Sequence, residues 1–127
     1  MRLLLDTHAF IWWDVDPAKL SPLARALCQD PANTLTLSLA SVWEMQIKIE
    51  LGKLRLRLPL RDVIRTQQAN GIRILPVALP HILALEGMPH HHGDPFDRIL
   101  IAQANTERMS LVSRDQFFSS YSVNVVW

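Results

Sequence analysis

Four carboxylates occupy positions that solubility alone does not explain. Asp6 closes the apolar run Leu3-Leu4-Leu5, Glu44 and Asp97 lie inside segments of helical periodicity, and Asp115 follows Leu111-Val112-Ser113-Arg114. An unpaired carboxylate among apolar neighbours is costly, so each needs donors, a cation or a chemical task. Clustered acids repel one another unless a cation neutralises them, and hard oxygen donors suit Mg2+ or Mn2+. One or two such ions on a carboxylate cluster can activate water and stabilise the leaving oxygen of a phosphodiester.

Each acid also has a purely structural reading. Asp6-Thr7 is good turn chemistry, and the aspartate could cap whatever follows it. Glu44 lies three residues after Ser41, which is the spacing of a capping box. Asp94-Pro95 reads as an N-cap with proline at the first helical position, and Asp97 suits the helix dipole. Ile101 and Ala104 fall four and seven residues after Asp97, so that acid shares the inward face of its helix. Asp115 alone reads equally as a surface-turn aspartate. Taken together, the four follow strand ends or open helices, the places that converge at one edge of a parallel sheet.

The elements that must position them can be read from the pattern. Arg2 to Leu5 is an apolar run without alternation, as in a strand buried on both faces. Asn33 to Leu39, Ile72 to Val77, Ser110 to Ser113 and Val123 to Trp127 read as further strands. Helices are expected from Pro22 to about Gln29, Ser41 to Leu51 with Gly52 as its C-terminal cap, Leu60 to Ala69, Pro80 to Glu86, and Pro95 to about Arg108. Leu54, Leu56, Leu58 and Leu60 alternate with polar residues or proline, as in a short extended piece, and Gln116 to Tyr121 reads as a turn or short helix. Strands alternating with helices predict an α/β domain with a mostly parallel sheet, whose ligands bind beyond the carboxyl ends of the strands.

The 127 residues suffice for one domain, 1–127, and at 49% hydrophobic and 20% charged they describe a compact chain rather than a disordered one. A net charge of +1 selects no partner by bulk attraction, but Lys53, Arg55, Arg57, Arg61 and Arg65 crowd together. Lys53, Arg55 and Arg57 read either as RNA phosphate contacts or as a solvated edge. Cys28 is the single cysteine, so no intrachain disulfide is expected. Asp6 comes too early for the apolar core of a signal peptide, and no run is long enough to span a bilayer; a cytoplasmic location is expected. His90-His91-His92 reads as a solvated loop, because consecutive histidines lack chelating spacing. Trp12, Trp13 and Trp43 read as packing or partner contacts.

Four blocks in order carry a resemblance over essentially the whole chain: Leu-Leu-Asp6-Thr7-His8-Ala9; Ser41-Val42-Trp43-Glu44-Met45 with Lys48 and Gly52-Lys53-Leu54; Asp94-Pro95-Phe96-Asp97-Arg98 with Ile101-Ala102-Gln103-Ala104; and Leu111-Val112-Ser113-Arg114-Asp115. The chain resembles the PIN-domain toxins of the virulence-associated type. The resemblance implies a PIN-like three-layer α/β/α sandwich of about five strands and an endoribonuclease dependent on Mg2+ or Mn2+, with one or two ions. It also implies a cognate antitoxin and a homodimer. The family's acidic positions fall on Asp6, Glu44, Asp97 and Asp115, as catalytic and metal-holding residues. Thr7, Ser113 and Asp94 are expected to support them, and Lys48, Lys53, Arg55, Arg57 and Arg98 to contact substrate. Two rivals share the pattern: a catalytically silent PIN scaffold that binds RNA or protein, and a metal-dependent DNA nuclease. A phosphatase starting from an Asp after the first strand would want a second Asp at position 8, which is His8.

Overall fold

The computed structural model describes residues 1–90 and 93–127. Five strands, β1 (Arg2–Leu5), β2 (Thr34–Ser38), β3 (Arg73–Leu75), β4 (Ser110–Val112) and β5 (Val125–Val126), form one sheet in the order β3-β2-β1-β4-β5. Every pairing is parallel, from Leu4 beside Thr36 and Leu111 at the centre to Val112 beside Val126 at the rim. Parallel strands need long crossovers, and helices supply most of them here. They are α1 (Thr7–Val15), α2 (Pro22–Gln29), α3 (Leu39–Glu50), α4 (Leu60–Ala69), α5 (Leu79–Ala84) and α6 (Pro95–Glu107).

The alternation of side chains along β1 divides the core in two. Leu3 and Leu5 pack with Ala9 and Phe10 of α1, Ala24 of α2, Met45 of α3 and Val63 of α4. Leu4 points the other way, onto Leu100, Ile101 and Ala104 of α6. All three leucines are fully buried, so β1 is covered on both faces and its end is fixed rigidly. The expected three-layer α/β/α sandwich is thus present, with an all-parallel sheet.

Several local expectations differ from the structure. Helix α1 was not foreseen: the stretch from Thr7 to Val15 has no clean polar face, and its helix starts because Asp6 caps it, the carboxylate accepting the Ala9 N–H at 2.7 Å. Helix α3 begins at Leu39, not Ser41, and its cap is Ser38, whose hydroxyl accepts the Ala40 N–H at 3.0 Å. Ser41 is therefore inside the helix, buried, with no hydrogen-bond partner for its hydroxyl. The alternating stretch after Gly52 adds no strand; Leu54 and Leu56 simply lean on the core while Arg55 and Arg57 stay in water. Helix α6 ends at Arg108 with φ 56°, a left-handed turn that usually falls to glycine. Of the histidine loop, His90 is exposed, and His91 and His92 lie outside the described residues.

Two buried ties brace the far side. His81 accepts the Ala78 N–H on Nδ1 at 2.9 Å and meets Glu107 through Nε2 at 3.0 Å, joining α5 to the end of α6. Arg98, expected at the substrate, is buried instead, and its guanidinium donates to the Pro89 carbonyl at 2.8 Å. An arginine held inside by the first turns of α6 secures the segment before that helix.

The shifted start of α3 can be checked by urea denaturation. Ser38→Ala should cost about 1 kcal/mol, the usual loss of a serine cap. Ser41→Ala should cost less or even stabilise, because removing a buried hydroxyl without a partner removes a desolvation penalty. The reverse order would restore the capping box at Ser41.

Candidate active site

Asp6 leaves the carboxyl end of β1 as a nearly buried side chain, 7% exposed. Its backbone N–H still donates to Val112 at 3.1 Å, so the residue is clamped between the ends of β1 and β4. The Ser113 hydroxyl, itself buried, hydrogen-bonds to the Asp6 carboxylate. The same Ser113 oxygen accepts the Asp115 N–H at 3.0 Å. Ser113 thus ties the two aspartates together, as a residue two positions before Asp115 on a strand end can do. Asp115 is exposed and caps the short 3-10 turn Gln116–Ser120 by accepting the Phe117 N–H at 2.9 Å.

The electrostatics at this point are unfavourable for an ionised acid. Burial pushes the Asp6 carboxyl above the ordinary aspartate value of 3.8, and the negative charge of Asp115 pushes the same way. Ser113, the Ala9 N–H and the nearby His8 oppose this without cancelling it. A buried carboxylate beside a second carboxylate is a place that favours a cation.

Glu44 sits in the second turn of α3 and is also nearly buried. One carboxylate oxygen accepts the Thr7 hydroxyl at 2.6 Å; the other pairs with Lys48 at 2.7 Å. Thr7 directly follows Asp6, so the two halves of the site abut through adjacent residues of the chain. Neither oxygen of Glu44 faces the helix start, which removes the capping-box reading. Asp97 is half-buried in the first turn of α6, where the helix N-terminus favours negative charge. Asp94 is the exposed cap of that helix, accepting the Phe96 N–H at 2.9 Å and the Asp97 N–H at 3.4 Å.

The structure thus brings Asp6, Ser113 and Asp115 together, and Glu44, Thr7 and Lys48 together beside them. Among the described residues, no three His, Cys, Asp or Glu side chains form a ready metal cage. An all-protein cage is not required for Mg2+, which commonly takes one or two carboxylates and keeps several waters. Asp6 and Asp115 satisfy that demand with the right donor atoms, and the raised Asp6 carboxyl has the charge imbalance a cation would relieve. Lys48 lies in the site through Glu44. Lys53, Arg55 and Arg57 are exposed beyond the far end of α3, and Arg55 and Arg57 border a separate groove with Leu54, Leu56 and Leu58. The basic run is therefore apart from the acids, and Arg98 is inside the protein.

The pocket of Asp6 and Asp115 is also lined by His8, Trp12 and Arg114, which the acidic pattern gave no reason to single out as site residues. Their signal was present as Asp6-x-His8 and as Arg114 next to Asp115. It could be used only once α1 was known to be a helix.

An all-parallel three-layer sandwich with two aspartates at the carboxyl edge of its central strands defines an α/β domain with an acidic pocket at that edge. The sequence pattern of the PIN domain family matches residues 3–124, and the chain belongs to that family. It is similar to Ribonuclease VapC22 of Mycobacterium tuberculosis, at 27% identity over 120 residues, covering 94% of this chain and 91% of the relative. Its fold is similar to that of VapBC2 from Rickettsia felis, solved bound to a DNA fragment from its promoter, with TM-score 0.71 and 14% identity over 99% of this chain and 98% of the other. A toxin–antitoxin complex from Klebsiella pneumoniae superposes with TM-score 0.62 and 21% identity, covering 98% and 96%.

The buried charge yields a stability test. Because the folded-state carboxyl of Asp6 is raised, ionising it costs stability, and that cost grows as pH climbs through its titration. Asp6→Asn keeps the cap of α1, since asparagine caps as well as aspartate, and removes the charge. Its melting temperature without metal should exceed that of the parent at neutral pH. The gap should close as pH falls toward 3.8, where the parent's Asp6 is protonated as well. A variant that melts lower than the parent at neutral pH would show that the ionised carboxylate stabilises the fold.

Proposed function

We propose that this chain is a metal-dependent endoribonuclease and the toxin of a toxin–antitoxin pair, acting in the cytoplasm. The observation that carries the reading is the Asp6–Ser113–Asp115 link at the carboxyl edge of the sheet, in a member of the PIN domain family. Support comes from the relative named a ribonuclease, and from the fold shared with a toxin–antitoxin complex. No helix among the described residues is long and apolar enough to cross a membrane.

Asp6 and Asp115 would hold Mg2+ or Mn2+, with Asp97 and Glu44 completing the acidic set. A bound ion of this kind makes water more acidic and offsets charge on the phosphodiester. The protein's own residues do the rest. Ser113 fixes the Asp6 carboxylate by donating to it, and Thr7 fixes the Glu44 carboxylate in the same way. In this reading Glu44, held by Thr7 and Lys48, would act as the base that takes a proton from the attacking water. Lys48 offsets the charge of Glu44 and would be the cation that meets a phosphate oxygen of the RNA in this reading. Arg98 and Asp94 act from behind, by securing the start of α6.

An antitoxin would block the acids with a cationic side chain, from a segment that folds on binding. The homodimer of this reading would use the apolar concavity between α3 and α6, about 810 Å3, where Trp43 is 64% exposed beside Phe96.

Total RNA incubated with the purified chain should be cut with Mg2+ or Mn2+ and left whole in EDTA. Glu44→Gln should lower cleavage by about 100-fold or more, the scale of a lost general base, with little change in melting temperature. Cleavage of DNA but not RNA would favour the DNA nuclease, and no cleavage of either would favour a silent scaffold.

In bacteria, expression of the chain alone should arrest growth. Co-expression with the small reading frame beside its gene should restore growth through a complex that co-purifies. Healthy growth with soluble, RNA-cleaving protein would remove the toxin reading and leave the nuclease.

A further inference from the structure

The acidic pocket has a wall of different chemistry. Its cavity of about 290 Å3 is bounded on one side by Asp6 and Asp115 and also by His8, Trp12 and Arg114. His8 and Trp12 are four residues apart on α1, so they stack along one helix face, with ring centroids 5.9 Å apart and planes tilted by 36°. The Arg114 guanidinium lies over the Trp12 indole, 5.5 Å from its centroid. Trp127 braces the same indole at 5.8 Å. Trp12 is half-buried against the core, whereas His8 and Arg114 are exposed.

A tryptophan needed only for packing has no use for a cation and an imidazole presented to water at the mouth of an acidic pocket. The combination suits a flat, polarisable group. Proteins stack unpaired nucleobases on aromatic rings and on arginine guanidinium planes, and such stacking needs no particular base. The braced indole is already ordered, so little conformational freedom is lost when a base arrives. Position matters as much as chemistry, because a phosphodiester held at Asp6 and Asp115 carries its neighbouring base within reach of the same pocket.

We propose that the His8–Trp12–Arg114 wall is a nucleobase subsite, which seats one unpaired base of single-stranded RNA beside the phosphodiester at Asp6 and Asp115. The placement of the phosphodiester rests on the nuclease reading above; the stacking wall does not.

The test compares two ligands on the full-length chain in EDTA, where neither is cut. One is a short, end-labelled single-stranded oligoribonucleotide; the other is an abasic ribose-phosphate oligomer of equal length and charge. Fluorescence anisotropy gives the dissociation constant of each, and their ratio isolates the bases from phosphate attraction. The parent should favour the base-bearing oligomer by roughly 5- to 150-fold, the range of one stacked base. Trp12→Leu and Arg114→Gln should each move the ratio toward unity, and Trp12→Phe should keep most of it. Because Trp12 also packs on the core, thermal melts accompany the variants, and the exposed Arg114→Gln decides the matter where Trp12→Leu fails to fold. Equal binding of the two ligands by the parent would overturn the proposal. An unchanged ratio in Arg114→Gln and in folded Trp12→Leu would overturn it as well. A normal ratio in a chain that cuts no RNA with any metal would uphold the subsite while removing the nuclease.

Discussion

The arrangement depends on one buried carboxylate. Asp6 is held at the end of a strand whose leucines are covered on both faces, and it performs two tasks at once. Its oxygen starts α1 by capping the Ala9 N–H, and the same carboxyl group receives the Ser113 hydroxyl that leads to Asp115. A surface cap could be asparagine or serine at no loss. Here the site keeps a carboxyl group whose ionisation burial and Asp115 both make unfavourable. Stability alone does not account for such a group, and binding sites are where such costs are commonly found.

The sheet order explains why the remaining groups gather there. Strand β1 lies at the centre between β2 and β4, so residues after the ends of all three emerge side by side at one edge. Asp6 follows β1, Ser113 and Asp115 follow β4, and α3, which carries Glu44, follows β2 immediately. Thr7 then spans from α1 to α3 and fixes Glu44, so the two halves of the site share adjacent chain positions. The opposite requirement falls on the helices behind. Arg98 and His81 are buried polar groups that hold loop and helix ends, and each is paired to a carbonyl, an amide or a carboxylate.

Much of this was legible before any coordinates. A continuous apolar run marked β1 and a Thr- and Leu-rich stretch β2, and proline or glycine at helix ends gave most helices their limits. Asp6 and Asp115 stood out because they follow strand ends, and Asp97 because it shares the inward face of its helix. Three things were not legible, each for a physical reason. Helix α1 is hidden because both of its faces are largely apolar or aromatic, so periodicity has nothing to measure. The start of α3 was misplaced because Ser38 and Ser41 are both competent caps, and only the end of β2 decides between them. Arg98 is expected at the substrate only through the family resemblance, and its burial against the Pro89 carbonyl depends on the path of the loop before α6, which the residue pattern does not show.

The charge bookkeeping of the site leads to one decisive measurement. If Asp6 and Asp115 are poised for a cation, calorimetric titration of Mn2+ into the apo protein should show binding that weakens severely in both Asp6→Asn and Asp115→Asn. Both variants should stay folded by circular dichroism. Mn2+ binding of equal strength in the parent and in folded Asp6→Asn would contradict the account, because the carboxylate on which the site is built would then hold no metal.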